Sequence, residues 1–474
     1  MPKSRVAGWI ATGVSLVLVA VLVLTGVALR GRIAAATGLD RPGGASTIAP
    51  STFPDAPPSP SPTAAPDLQP PAAALEPGPA PQAKTLVDRI ARLDTSKLVG
   101  PDGKPASIAW QFVDAATGTV IASRNPEQLL TPASNTKTLT VAALFHALDA
   151  EHRFETRVTA PDAGTVVLVG GGDPLLTSEP AEAGTHPRPP SLRQLARATA
   201  KQLEAQGRTS VAVRYDASWF TEPGWASTWP EGYRNQVTPV SALWADEGKV
   251  GGVRQRDPAA AAAHAFATQL GQEGITVLGE PAPGKAGGTQ LARVRSLPLH
   301  VLAEEAMLRS NNSFTEVLGL QLARATGHPT TFAGATAAIR EQLTDLGLWQ
   351  QGAVLHDSSG LSRGNRVSAA MLAQVNRHLV TEPALTGVLD GLPVAGVTGT
   401  LAKRFADDVS RPARGVARAK TGTLSLVSTL AGNTTTDDGA LVAFAIMLGG
   451  QVDGWEAKVF EERIVGILTS CGCR

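Results

Sequence analysis

The fold of this chain is decided by the stretch Leu130–Thr140, which reads LTPASNTKTLT. Pro132 favours an extended backbone before it, and the apolar run that begins at Leu139 predicts a helix starting near Asn135. Ser134 then lies at the helix N-terminus, with Lys137 on the same face. The amine of Lys137 can therefore reach the hydroxyl of Ser134.

This pairing is typical of an activated serine. A serine hydroxyl is a weak nucleophile until a neighbouring base removes its proton, and the first amides of a helix favour the negative charge that then develops. One helical turn could thus supply a nucleophile, a base and part of an oxyanion site. The same pattern also fits a plain helix cap followed by a solvated lysine, so the interpretation depends on other parts of the chain.

A second stretch, Leu308–Ser313, reads LRSNNS and lies between two predicted helices. Ser310 offers a hydroxyl that can pass a proton, and Asn312 offers an amide that can hold a peptide carbonyl or a lysine. On its own this pattern is usually a cap or a turn.

A third stretch, Ala417–Leu424, reads ARAKTGTL and lies on or near a predicted strand. Lys420 supplies a cation for a carboxylate, Thr421 and Thr423 supply hydroxyls, and Gly422 lets a ligand backbone approach closely. On its own the lysine would be an exposed residue of an edge strand. The three stretches together are far more specific than any one of them.

A rival nucleophile is Ser362, because residues 360–364 read GLSRG and have the Gly-x-Ser-x-Gly spacing of a nucleophile elbow. That elbow requires a strand directly before the serine and a helix directly after it. Polar residues precede this segment, and the next helix is predicted to begin only near Ser368. A Ser/His/Asp triad is therefore disfavoured.

Composition excludes several other classes. The formal net charge of +1 and the 4% aromatic content give no basis for binding nucleic acid. The histidines His146, His152 and His356 lack metal-ligand spacing, and we expect neither a metal nor another cofactor. The two cysteines, Cys471 and Cys473, exclude a disulfide framework, and a plain tail is favoured over a two-ligand metal site or a local disulfide.

The N-terminal part predicts a membrane anchor and a spacer. Residues 7–29 are uncharged and apolar, long enough to cross a bilayer, and follow Lys3 and Arg5. We therefore expect a cytoplasmic start and transmembrane anchor at 1–33, with the rest of a single-pass protein outside the cytoplasm. A cleaved signal peptide, which would give a secreted protein, is the alternative. Residues 34–84 are rich in Pro, Ala and Ser and predict a disordered linker.

The folded part predicts an α+β architecture. Residues 85–150 carry a helix, a hairpin and the Ser134 helix, and residues 289–474 carry helices, three strands and a last helix. This last helix is predicted to be amphipathic, with an apolar face made of Trp455, Val459, Phe460, Ile464 and Ile467. This order suggests one antiparallel sheet built from both ends of the chain, flanked by helices. Residues 151–288 contain strands of their own and predict an inserted domain.

The three stretches, in this order, resemble the motifs of class A β-lactamases and penicillin-binding proteins. The chain as a whole resembles the class C low-molecular-mass penicillin-binding proteins, the D-alanyl-D-alanine carboxypeptidase/endopeptidase family. The resemblance covers about residues 86–468 and implies a serine β-lactamase/transpeptidase-like domain with an insertion after the first motif. Four further stretches carry it: Gly170–Pro174, Thr238–Leu243, Asp357–Arg366 and Leu392–Leu401.

The resemblance implies hydrolysis of the peptide bond between D-amino acids in peptidoglycan stem peptides, through an acyl-enzyme on Ser134. It assigns Lys137 as base, Ser310 as proton donor to the leaving amine, and Asn312 as orienting group. It assigns Lys420, Thr421, Gly422 and Thr423 to the substrate carboxylate. It also implies inhibition by β-lactams.

The sequence leaves open two other functions: a sensor or wall-binding module that β-lactams acylate without peptide turnover, and a β-lactamase. One residue departs from the family pattern, since Asn311 stands where aspartate is usual. We expect its side chain to point away from the cleft, with little effect on the chemistry.

Overall fold

The structure, a computed structural model, describes residues 78–221, 224–451 and 453–472. The predicted anchor at 1–33 and most of the predicted linker at 34–84 lie outside these residues. Within the described part, no helix is both long and apolar enough to span a bilayer. The first helix of the described residues begins at Ala83, just inside the predicted linker.

The described helices follow the predicted order, with one addition. They are α1 (Ala83–Ile90), α2 (Thr136–Ala147), α3 (Leu192–Ala205), α4 (Pro258–Gln272), α5 (Leu299–Leu308), α6 (Asn312–Ala325), α7 (Phe332–Asp345), α8 (Ala369–Thr381) and α9 (Gly454–Thr469). The addition is α3, which lies in the segment interpreted as strands and loops. Its start carries a capping box between Ser191 and Gln194, a signal present in the sequence.

Thirteen strands are described, and most belong to two sheets. They are β1 (Ser107–Asp114), β2 (Val120–Arg124), β3 (Glu155–Ala160), β4 (Thr165–Val169), β5 (Ser210–Asp216), β6 (Lys249–Val250), β7 (Val253–Arg254), β8 (Thr276–Val277), β9 (Ala282–Pro283), β10 (Thr289–Arg295), β11 (Arg418–Leu424), β12 (Val427–Thr435) and β13 (Leu441–Gly449).

The first sheet has the order β11-β12-β13-β1-β2 and is antiparallel throughout. β13 therefore lies between β12, which precedes it directly in the chain, and β1, which comes from the early part of the folded region. This confirms the prediction of an antiparallel sheet built from both chain ends and flanked by helices.

Both faces of this sheet are covered. In β1, Ala109 and Val113 pack into the core that contains α2, α6 and α8, while Trp110 and Phe112 pack into the core on the other face, with α9. Because neither face meets water, consecutive residues are buried along β1 and β13 instead of alternating with exposed ones. The first motif lies at the start of α2 and the third on the edge strand β11.

The second sheet lies within residues 155–295, with the order β10-β3-β4-β5-β8 and β9 also pairing with β5. It is mixed, since β4 and β5 run parallel while β3 is antiparallel to both β4 and β10. Helices α3 and α4 pack on it around a core of its own. β10 lies beyond the boundary predicted at residue 288 because it pairs with β3. The division of the chain into domains stays a prediction.

Two local expectations are wrong. Trp455, assigned to the buried face of the last helix, is 70% exposed, because it lies in the first turn of α9, where little covers it. Cys471 is buried and disulfide-bonded, so the terminal segment is not a plain tail.

Candidate active site

Ser134 lies in a short 3-10 turn, Ala133–Asn135, that leads directly into α2. Strand β12 holds this turn. The side-chain amide of Asn135 donates to Thr429 Oγ1 at 2.8 Å, and the Thr429 hydroxyl donates to the carbonyl of Pro132 at 2.9 Å. The position of the nucleophile candidate is therefore fixed by the central sheet as well as by its own helix.

Lys137 is fully buried, and three oxygen atoms surround its amine. Nζ lies 3.0 Å from Ser134 Oγ, 2.7 Å from Asn312 Oδ1 and 2.6 Å from the carbonyl oxygen of Ser359. A neutral amine has two N–H groups and one lone pair, and only the hydroxyl among these partners can donate to that lone pair. In its neutral form, Lys137 therefore faces Ser134 as a base.

The surroundings also favour the neutral form. Burial lowers the pKa of Lys137 to about 7, although the negative charges of Glu316 and Asp357 act in the opposite direction. Burial, and then the charge of Lys137, hold the pKa of Lys420 well below its usual range. The two buried lysines therefore disfavour each other's charged form.

The second motif brings Ser310 and Asn312 to this pair of lysines. Ser310, in a left-handed conformation between α5 and α6, accepts a hydrogen bond from Lys420 Nζ at 2.9 Å. Asn312 begins α6 and accepts from Lys137, as predicted. The side chain of Asn311 instead caps α6, accepting from the backbone amide of Phe314 at 3.2 Å. It therefore makes its contact with its own helix, away from Lys137.

The third motif lies on β11, next to the Ser134 turn. Lys420 Nζ also donates to the carbonyl of Thr421 at 3.0 Å. The structure gives Gly422 a role that the sequence did not indicate: a Cβ there would lie 2.1 Å from Thr429 Oγ1 and 2.7 Å from the carbonyl oxygen of Pro132. A glycine is needed because β11 packs directly on the turn that carries the serine.

A cleft of about 670 Å³ opens over these motifs. Ser134, Ser310, Asn312, Thr421 and Thr423 line it, while both lysines are buried beneath its surface. The structure thus brings residues from all three predicted motifs together at one cleft. Gly360, Leu361, Thr400 and Leu424 also line it and belong to stretches that the sequence singled out. The remaining lining residues were not predicted: Gly232, Tyr233, Asn235, Gln236, Arg404, Ser425 and Lys458.

The loop from Asp357 to Ser362 is the part of the site that sequence reasoning treated least fully. The buried carboxylate of Asp357 accepts four hydrogen bonds: from Trp229 Nε1 at 2.7 Å, from the backbone amides of Ser362 and Gly360 at 2.5 and 2.9 Å, and from Asn365 Nδ2 at 2.8 Å. This loop presents the Ser359 carbonyl to Lys137. Ser362 itself is fully buried, which argues against the triad.

The described residues contain no group of three His, Cys, Asp or Glu side chains arranged to hold a metal ion. The polar groups at the cleft are instead hydroxyls, amides and amines. These are suited to nucleophilic attack on a carbonyl next to a carboxylate.

Comparison with known proteins agrees with this geometry. Residues 96–253 and 249–471 match the D-Ala-D-Ala carboxypeptidase 3 (S13) family. The chain is 34% identical to carboxypeptidase DacB of Mycolicibacterium smegmatis, over 85% of this chain and 90% of the relative. It is 29% identical to a D-alanyl-D-alanine carboxypeptidase of an Actinomadura species, over 71% of this chain and 77% of that protein.

Among solved structures, penicillin binding protein 4 of Haemophilus influenzae has the same fold, with a TM-score of 0.65 and 21% identity. The match covers 81% of this chain and 98% of that one.

Proposed function

We propose that Ser134 is the nucleophile of this protein, which belongs to the D-Ala-D-Ala carboxypeptidase 3 (S13) family and is a serine-type D-Ala-D-Ala carboxypeptidase. Lys137 takes the proton of Ser134 as its oxygen attacks the carbonyl of the penultimate D-alanine. The oxyanion rests on the backbone amides of Ser134 and Thr423. The distance of 3.0 Å between Lys137 Nζ and Ser134 Oγ is the observation that carries this proposal.

The tetrahedral intermediate collapses when its C–N bond breaks. Ser310 relays the proton that Lys137 took from Ser134 to the leaving amine, which leaves Lys137 neutral again. Free D-alanine departs, and the rest of the stem peptide stays as an ester on Ser134. A water molecule then attacks the ester with Lys137 again as base, which releases the shortened peptide and restores the serine. Asn312 holds Lys137 in position through both steps.

Lys420, Thr421 and Thr423 bind the terminal carboxylate of the substrate, and Gly422 keeps this strand close to Ser134. An arriving carboxylate favours the charged form of Lys420, and a charged Lys420 in turn disfavours charge on Lys137. Substrate binding thereby helps to keep the base neutral when it is needed. A β-lactam presents a similar carboxylate and carbonyl, so it acylates the same serine.

The test is incubation of the protein with a pentapeptide that ends in D-Ala-D-Ala, with cross-linked muropeptides and with labelled penicillin. Release of D-alanine together with a label on Ser134 is the expected result. Cleaved cross-links would add endopeptidase activity. A stable label without either product would favour a sensor, and rapid penicillin hydrolysis a β-lactamase. Failure of penicillin to label the protein would contradict the nucleophile assignment.

We also propose that residues 7–29 hold the protein at the cell membrane, with the catalytic part outside the cytoplasm, tethered by the Pro-rich linker. The uncharged apolar run supports this location. Fractionation of cells that produce the full chain should recover it with the membrane, and deletion of residues 7–29 should prevent this. A protein in the soluble fraction whose sequence starts after residue 29 would indicate a cleaved signal peptide instead.

A further inference from the structure

A second buried carboxylate lies near Lys137 and has no part in the steps above. Glu316 is one turn after Asn312 in α6 and is 1% exposed. Within the described residues it forms no ion pair with a lysine or an arginine. Its oxygens instead accept hydrogen bonds from two consecutive backbone amides, those of Ser358 at 3.1 Å and Ser359 at 2.8 Å.

These two hydrogen bonds connect Glu316 to the base. The backbone amide of Ser359 donates to the carboxyl group of Glu316, and the carbonyl of Ser359 accepts from Lys137 Nζ at 2.6 Å. Helix α6 therefore holds Lys137 by two routes, directly through Asn312 and indirectly through Glu316 and the loop.

Other contacts keep the same loop close to both helices. Thr140 of α2 donates to the carbonyl of Ser358 at 2.7 Å. A Cβ at Gly319 of α6 would lie 2.0 Å from Ser358 Oγ, so only glycine permits this approach. Thr140 thus holds the loop through a neutral hydroxyl group, whereas Glu316 holds it through a carboxyl group that can ionise.

The charges around Glu316 come from three elements: Lys137 of α2, Asp357 of the loop, and Lys420, which lies next to Lys137, on β11. Burial, and then the negative charge of Asp357, raise the pKa of Glu316 to about 8. The negative charge of Glu316 in turn opposes the lowering of the Lys137 pKa. Lys137 and Glu316 can both be neutral or both be charged, and the buried pair has no net charge in either state.

We infer that Glu316 is a positioning residue for the reaction: it holds the peptide that orients the Lys137 amine, and in its ionised form it favours the ammonium form of Lys137. This inference rests on the proposed function, since it presumes that Lys137 is the base.

The experiment compares Glu316→Gln, Glu316→Asp and Thr140→Val with the unaltered chain. The rate of Ser134 acylation by penicillin and the rate of D-alanine release are measured between pH 5 and 9. Thermal unfolding of each variant shows that it is folded.

Glu316→Gln cannot ionise, so it removes the state in which a charged Glu316 keeps Lys137 protonated. The acidic limb of its rate profile should therefore move to lower pH by about one unit, and its maximal rate should fall on the order of tenfold. Glu316→Asp keeps the charge on a shorter side chain, so its maximal rate should fall while the limb stays in place. Thr140→Val loosens the same loop without a charge change and should also leave the limb in place.

An unshifted limb in Glu316→Gln would overturn the electrostatic role, and unaltered rates in both Glu316 variants would overturn the positioning role. If Glu316→Gln does not fold, the rates of Glu316→Asp decide whether Glu316 positions the base. A lack of acylation in the unaltered chain would instead contradict the proposed function, so the two failures are distinguishable.

Discussion

At the residue scale, the cleft presents two hydroxyls, each next to a lysine amine. Ser134 Oγ lies 3.0 Å from Lys137 Nζ, and Ser310 Oγ lies 2.9 Å from Lys420 Nζ. Both serines precede a helix, but the Ser134 turn packs directly on β11 at Gly422, next to the Thr423 amide that is assigned to the oxyanion. The two serines should therefore respond differently to substitution.

Ser134→Ala should abolish covalent labelling by penicillin, because it removes the proposed nucleophile. Ser310→Ala should still be labelled, at a reduced rate, because it lacks only the proton donor. Mass spectrometry of the intact protein after incubation measures both. A label on the Ser134→Ala protein would remove Ser134 as the nucleophile.

Two neighbouring asparagines provide a matched pair of substitutions. Asn311→Asp should change the rates little, since aspartate caps a helix as well as asparagine does. Asn312→Asp places a carboxylate 2.7 Å from Lys137 Nζ, where it raises the pKa of the base and should reduce acylation at neutral pH. Acylation rates at pH 7 and pH 9 measure the effect. A large loss in Asn311→Asp would contradict the capping role.

Sequence reasoning reached the parts of the site that depend on local geometry. The contact of Lys137 with Ser134 follows from helical spacing alone. The contact of Lys137 with Ser359 joins residues 222 positions apart, and Glu316 reaches the site only through the packing of α6 on the loop. No spacing rule encodes such contacts, because they depend on how three elements meet in space.

At the element scale, the loop that contacts Lys137 is also pressed against the turn that carries Ser134. Gly360 has a φ of 87°, and a Cβ there would lie 1.8 Å from the carbonyl oxygen of Ala133. Both the conformation and the contact require glycine.

Gly360→Ala should destabilise the protein and displace the Ser134 turn, which lowers the acylation rate. Gly184 is a matched control, because it has the same φ of 87° but nothing within 4 Å of an added Cβ. Gly184→Ala should cost about 1–2 kcal/mol of stability from the left-handed conformation alone, with acylation intact. Thermal unfolding and penicillin labelling test both variants. Equal losses of stability in Gly360→Ala and Gly184→Ala would show that the close contact with Ala133 adds no destabilisation.

Most elements were predictable because their apolar spacing is regular. The sequence predicted the strands of the first sheet and the helices that pack on it. It did not lead us to α3, since a Pro-rich loop precedes that helix and drew the interpretation towards strands. The sequence also predicted a buried Trp455, because the apolar spacing of α9 extends back to its first turn. That turn is exposed to solvent in the structure.

At the scale of the whole molecule, two aspartates at neighbouring strand ends of the second sheet should give opposite pH dependence. Asp173 follows β4 and is fully buried, which raises its pKa to about 7. Burial also acts on Asp216, at the end of β5, but hydrogen bonds from Ser218 and Ala286 outweigh it and lower the pKa of Asp216.

The sign follows from proton binding. Between about pH 4 and 7 the folded protein keeps a proton on Asp173 that the unfolded chain has lost, so this residue lowers the free energy of unfolding as the pH rises. Asp173→Asn should therefore gain stability relative to the unaltered protein between pH 5 and pH 8. Asp216→Asn should be less stable across the same range, because Asp216 stabilises the fold when ionised.

Denaturant unfolding of the three proteins at pH 5 and pH 8 measures these differences. All other titrations cancel when each variant is compared with the unaltered protein at the same pH. A stability difference for Asp173→Asn that stays constant between the two pH values would show that Asp173 does not titrate in this range.

The strand order of the first sheet has a consequence for biosynthesis. β1 is translated long before β13, yet it needs β13 as its neighbour in the sheet. A nascent chain that already contains Ser134 and Lys137 still lacks Lys420 and the strand that supports it. The hydrolase is therefore inactive until β11, β12 and β13 have been translated and β13 has paired with β1.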